Sequence, residues 1–251
     1  MKGFLFVLFA CMMACSMPDR GQEEMGLELT TEDSLMAKVI EAHGGQLNWE
    51  KAHIFSWNFF GVRKNTWNKQ SGDFKTVFLK DSLSIAYNLH NKTGQAWIGG
   101  KEVNPDSLDF YLDIANQVWC NDAYWVFMPF KLKDSGVQVK YLGQDSSIAV
   151  PEVVEAKVCD VLELKFDSVG YTPQNKYKVF VDVASGLVAQ WVYFKNDSTE
   201  VFTNVWAKYQ NVGPFQLSTF YSESRQITEL NYLDSLPSQF FWKASENKPE
   251  P

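Results

Sequence analysis

Beyond Ala52 the chain alternates apolar and polar positions with period two, the spacing of side chains that point to opposite faces of a strand. Segments 54–62, 75–79, 84–89, 95–98, 137–142, 158–166, 176–182, 187–194, 200–209, 217–223 and 227–232 carry this pattern and are rich in Val, Ile, Phe, Tyr and Trp. Turn chemistry separates them, at 70–73, 91–94, Gly99-Gly100, 143–145 and 182–186. Roughly ten short strands on hairpin-length turns predict an antiparallel meander.

Two stretches follow a helical period instead. From Thr31, residues Leu35, Met36, Val39, Ile40 and His43 recur at three and four, with Thr30 or Thr31 as cap, Glu32 and Asp33 in the first turn and Gly44-Gly45 as the stop. Asn104-Pro105-Asp106 opens a second helix whose stripe is Leu108, Tyr111, Leu112, Ala115, Val118 and Trp119, and which runs into the most aromatic part of the chain, 119–130. A helix inserted into a meander must lie on a face or mouth of the sheet to bury its stripe. Segments 54–62 and 187–194 are apolar on both faces, so each must meet apolar material on both sides: helices, a second sheet or a ligand.

The N-terminus adds an address. Lys2 and the apolar run from Phe4 through Met13 read as a secretory signal peptide, 1–14, and Ala14 places a small residue before Cys15, the expected site of acylation. Cys11 is a second possible lipobox cysteine with a shorter apolar run, and an ordinary cut after Ala14 without acylation is the plain alternative. Two or more acyl chains hold a protein stably at a membrane, at about 0.8 kcal/mol per buried methylene. Residues 15–29, with Pro18, Gly21 and Gly26, form the expected lipidated tether, 30–243 one domain and 244–251 a flexible tail.

The 251 residues, 45% of them hydrophobic, suit one sizeable core. A net charge of -7, about -8 once Lys2 leaves with the leader, repels phosphate backbones and excludes nucleic acid as an expected partner. Cys120 and Cys159 are too few for a disulfide scaffold and stand either bridged or as free thiols.

The helix, the aromatic strand after it, the long hairpins, the helical insertion and the turn Val181-Asp182-Val183-Ala184-Ser185-Gly186-Leu187 together resemble the LolA/LppX type of lipoprotein-sorting and lipid-binding periplasmic protein, over most of residues 31–241. The runs Ala42-His43-Gly44-Gly45, Asn121-Asp122-Ala123-Tyr124-Trp125 and Met128-Pro129-Phe130-Lys131-Leu132 also resemble uncharacterised Gram-negative lipoproteins. The resemblance implies a mainly β (α+β) fold: a curved antiparallel sheet forming an incomplete barrel, with helices over its concave face and an apolar cavity for acyl chains. It also implies that Arg63 is the counterpart of a sheet arginine that contacts the helical lid. LolA itself is a soluble shuttle, whereas a chain fixed through Cys15 stays at its membrane.

Catalytic chemistry finds no candidate. His43-Gly44-Gly45 is similar to an esterase oxyanion turn but no Gly-x-Ser-x-Gly elbow accompanies it. His43, His53 and His90 lack metal-ligand spacing, and Asp106, Asp109 and Asp113 read as a solvated helix face, so no metal, cofactor or catalytic residue is expected. The aromatic residues Trp57, Phe59, Phe78, Trp125, Phe127, Trp191, Tyr193 and Phe220, with Arg63, are the expected ligand-binding set, in competition with plain core packing. The expectation is a monomeric, non-enzymatic lipoprotein of the cell envelope, on the outer membrane and facing the periplasm or the cell surface. It binds a lipid or a lipoprotein acyl chain in envelope trafficking. The alternatives are an interaction module of an envelope complex and, last, an envelope hydrolase.

Overall fold

A computed structural model describes residues 29–245 of the chain, Val169 excepted. The expected signal peptide, Cys15 and all of the tether but Leu29 lie outside these residues, as do positions 246–251 of the expected tail.

The N-terminal half supplies two helices, α1 (Thr31–Ala42) and α2 (Gln46–Lys51), and then β1 (Ile54–Phe59), β2 (Arg63–Asn68), β3 (Asp73–Phe78), β4 (Leu83–Asn88), β5 (Gly94–Ile98) and β6 (Lys101–Glu102). The long helix α3 (Leu108–Phe127) follows. After it come β7 (Val137–Ser146), β8 (Val158–Phe166), β9 (Lys176–Asp182), β10 (Val188–Phe194) and β11 (Glu200–Val205). The chain ends in β12 (Gln210–Val212), β13 (Phe215–Leu217), β14 (Phe220–Ser222) and β15 (Arg225–Leu233).

Eight strands form one sheet in the order β14-β15-β1-β2-β3-β4-β5-β6, five form a second in the order β11-β10-β9-β8-β7, and β12-β13 make a ribbon. The named pairings are antiparallel. Neither sheet closes on itself, and the last strand returns to pair with the first, Ile54 opposite Leu233. This is the incomplete antiparallel barrel that the resemblance implied, with helices set against its sheets.

Local chemistry accounts for the helices. Thr30 caps α1 by accepting the Asp33 amide at 3.1 Å, and Met36, Val39 and Ile40 form its buried stripe. Gly44 ends it at φ +125, where a Cβ would stand 2.6 Å from the Pro214 carbonyl oxygen, so glycine is required both by conformation and by the close approach of another chain segment. Asn104 caps a 3-10 turn, Pro105–Ser107, that leads into α3. Toward its start, α3 buries one stripe, Leu112 and Ala115, on Ile85, Tyr87 and Ala96 of the first sheet. Toward its end Asp122, Ala123, Trp125, Val126 and Phe127 are all buried, because that end enters between the two sheets.

The space between the end of α3 and the first sheet is filled. Phe127 packs on Phe55 at 4.6 Å and edge-on to Trp57 at 5.6 Å, and Trp49 of α2 stacks on Phe130 at 4.4 Å. Aromatic pairs of this kind contribute about 0.5–1.5 kcal/mol each beyond burial of their area.

Three differences from the sequence pattern have physical causes. Strand β2 carries no apolar alternation because two of its inward positions, Arg63 and Asn65, are polar and bind a carboxylate on α3. A bulge in β10 between Val188 and Gln190 shifts the parity expected for 187–194, so that Val188 shares the interior with Trp191 while Ala189 joins Val192 and Phe194 on the outer face. Segment 217–223 divides between β13 and β14 around Ser218 and Thr219, whose side chains bond to the Ala207, Phe220 and Lys208 carbonyls. Cys120 and Cys159 are free thiols.

Candidate functional site

Helix α3 has two sides, and they differ. Against the first sheet it is packed solid; against the second it leaves a cleft of about 500 Å³. Trp191 of β10 and Trp125 of α3 form the deep end, with ring centres 4.7 Å apart and nearly perpendicular. Tyr124 stacks on Trp191 at 6.0 Å, and Tyr177 of β9 lies on the same indole at 5.1 Å. Tyr193 and Phe202 continue the wall at 4.9 Å, and Phe166 of β8 meets Tyr177 edge-on at 5.9 Å.

These contacts follow from register. Tyr193 lies opposite Tyr177 and Phe202 opposite Tyr193, so three neighbouring strands present aromatic side chains on one face. Tyr124 and Trp125 reach them because they sit on the last turns of α3, where it is buried.

The mouth is polar. Gln117, Asn121, Thr172 and Asn175 line it, and the segment between β8 and β9 crosses it. That segment is tied to α3 through Tyr171, whose hydroxyl donates to Asp113 Oδ1 at 3.0 Å and accepts from Asn116 Nδ2. Burial, reinforced by the Asp113 bond, pushes the Tyr171 phenol up to about 12. Burial also raises Tyr124 and Tyr177 above the usual phenol range, and no hydrogen bond contributes to either shift.

Of the nine expected ligand-binding residues, the cleft brings together Trp125, Trp191 and Tyr193. Trp57, Phe59 and Phe127 are buried in the packed core, and Phe220 is buried on another face with Val205 and Ala207. Phe59 and Phe78 flank Arg63, whose guanidinium carbon lies 4.9 and 5.8 Å from their ring centres. Arg63 Nε and Nη2 each donate at 2.6 Å to the carboxylate of Asp122 on α3, which also accepts from Asn65 at 2.7 Å and Asn121 at 2.9 Å. Arg63 of the first sheet is thus paired with α3 through Asp122, an acid that the sequence pattern does not single out. Tyr124, Tyr177, Phe166 and Phe202 were also missed. The signal that finds Tyr177 and Phe202 is pairing: aligning 176–182 and 200–205 against 187–194 places both opposite Tyr193.

His43 has no exposed surface. Its Nδ1 bonds to Val39 O at 2.7 Å and its Nε2 lies 3.3 Å from the Tyr209 hydroxyl, which donates to Val188 O. Both ring nitrogens thus serve packing. Burial lowers its pKa to about 4, so between roughly pH 6.5 and 4 the unfolded chain binds more protons than the folded one. Stability rises with pH across that window and is lost as pH falls through it, by about 3 kcal/mol when complete. Urea midpoints at about pH 7 and about pH 4.5 check this: His43→Gln is expected to flatten the difference, and an unaltered difference refutes it.

Among the described residues no three His, Cys, Asp or Glu side chains group as a metal site would need, and no helix is long and apolar enough to cross a membrane. No protein-family model and no curated protein sequence matches the chain. Solved structures do. One, described as an outer membrane lipoprotein-sorting protein domain from Vibrio parahaemolyticus, is 10% identical over 76% of this chain and 87% of that one, with a TM-score of 0.40. A DUF1329 family protein from Desulfovibrio piger is 10% identical over 83% and 95%, with a TM-score of 0.41. A LolA superfamily protein from Nitrosomonas europaea is 12% identical over 84% and 97%, with a TM-score of 0.38.

Proposed function

We propose that the protein binds a hydrophobic ligand, a lipid or a lipoprotein acyl chain, in the cleft between α3 and the second sheet, while an acylated Cys15 holds it at a membrane of the cell envelope. The observation that carries this reading is the cleft itself. Its volume of about 500 Å³ lies within the roughly 300–1,000 Å³ usual for small-molecule sites, and its apolar lining with a few polar groups at the mouth matches their composition. Around Trp57, Phe59 and Phe127 the interior is occupied by their own rings, which supports the other side of the helix as the place for a ligand.

Mass spectrometry of organic extracts of the purified chain is the test. A lipid recovered in near-equal molar amount, and lost in a Tyr193→Ala variant, supports the reading; repeated extracts with no lipid above background end it. The anchor is tested apart from this. Metabolic labelling with palmitate is expected to mark the native chain and not Cys15→Ala, and label retained in that variant removes the anchor without touching the cleft.

The filled core beneath the first sheet favours a second reading, an interaction module of an envelope assembly. A stoichiometric protein cross-linked to the chain in intact cells, with no extractable lipid, selects that reading.

A further inference from the structure

We infer that the ligand of the α3 cleft is an uncharged amphiphile, an apolar chain capped by a hydroxyl- or amide-bearing head, and that the cleft selects against ionised heads. This rests on the binding function proposed above and narrows it. Among the described residues that line the cleft there is no Asp, Glu, Lys, Arg or His. The polar side chains that do line it are the amides of Gln117, Asn121 and Asn175, the Thr172 hydroxyl, the Cys120 thiol and the phenols of Tyr124, Tyr171, Tyr177 and Tyr193. All are neutral groups, and a hydroxyl or amide oxygen among them can accept from a neutral head without a charge to neutralise.

Electrostatics separates the three head types. An ionised carboxylate or phosphate entering this cleft loses water and meets no cation among its lining side chains; the Arg225 guanidinium, 4.9 Å from the Phe202 ring centre, is not one of them and is bonded to Asn204. The carboxylate at the mouth adds repulsion, since Asp113 sits one hydrogen bond from Tyr171. A cationic head fares little better. Asp113 is already engaged by Tyr171 and by the Gln117 amide at 2.6 Å, and the ring faces that hold cations elsewhere are occupied here: Tyr177 lies between Trp191 and Tyr193, and Phe202 packs on Tyr193 and carries the Arg225 guanidinium 4.9 Å from its centre. A hydroxyl or amide head exchanges water for phenol and amide partners at little net cost.

The test uses three probes with the same saturated chain, monopalmitoylglycerol, palmitate and hexadecyltrimethylammonium, titrated calorimetrically into the full chain below their micelle thresholds at about pH 8, where the palmitate carboxyl is ionised. The glycerol ester is expected to bind at least about tenfold more tightly than either ion. Palmitate or the ammonium probe binding within about twofold of the ester overturns the inference while leaving the cleft a binding site. Binding of none of the three removes the underlying reading, and this one with it. A charge supplied on the exposed segment by Thr172→Lys is expected to raise the ratio of palmitate to ester affinity about tenfold; an unchanged ratio overturns the placement of the head at this mouth.

Discussion

Arg63→Ala is expected to lower the free energy of unfolding by about 3–5 kcal/mol, because it strands a carboxylate that has no exposed side-chain surface. Asp122 lies near the buried end of a twenty-residue helix, and the two arginine bonds supply the charge that balances it. Asn65 and Asn121 remain as donors after the substitution, yet neither carries charge, so the carboxylate stays uncompensated. Arg63→Lys keeps the charge and loses the two-pronged geometry, so a smaller loss is expected. The double variant Arg63→Met with Asp122→Leu is expected to recover at least about 1–2 kcal/mol of the Arg63→Ala loss, since buried ion pairs are replaceable by apolar groups of similar size. Full recovery is not expected, because the buried Asn65 amide then lacks its acceptor. Urea unfolding of the three variants decides the matter. A loss under about 1 kcal/mol for Arg63→Ala shows that the clasp between β2 and α3 is not what secures the helix.

The same clasp explains why part of the molecule was hard to read in the sequence. Strands built on apolar alternation, such as β8 and β9, are legible to the residue, because apolar side chains, Leu162 and Leu164 on one and Val179 and Val181 on the other, stand at alternate positions on their inner faces. Strand β2 is not, since its inner face reads Arg63, Asn65, Trp67, a pattern that makes sense only once Asp122 is known to sit above it. The candidate site was half legible for a related reason. An aromatic residue in a strand gives the same signal whether it lines a cleft, as Trp191 and Tyr193 do, or fills a core, as Trp57 and Phe59 do. What separates the two is which side of α3 a strand faces, and that is set by long-range pairing and by a one-residue bulge in β10, neither of which a local period encodes.

Trp191→Ala is expected to cost about 3–5 kcal/mol of stability and to abolish ligand binding, whereas Tyr193→Ala is expected to abolish binding at a cost of about 1 kcal/mol or less. The difference follows from position on one strand. Trp191 is 1% exposed and touches Tyr124, Trp125, Tyr177 and Trp206, so its removal opens a void among four aromatic rings that cannot all close on it. Two residues on, Tyr193 is half-buried at the wall, touching Tyr177 and Phe202 and otherwise facing the cleft. Its loss removes surface that faces the cleft, not surface the fold needs. The pair therefore separates folding from function: lipid content measured on Tyr193→Ala reports the cleft alone, and the urea midpoint of Trp191→Ala reports the packing beneath it. If Tyr193→Ala keeps its bound lipid in full, the ligand lies elsewhere; if it unfolds as readily as Trp191→Ala, the wall of the cleft is core and there is no site to fill.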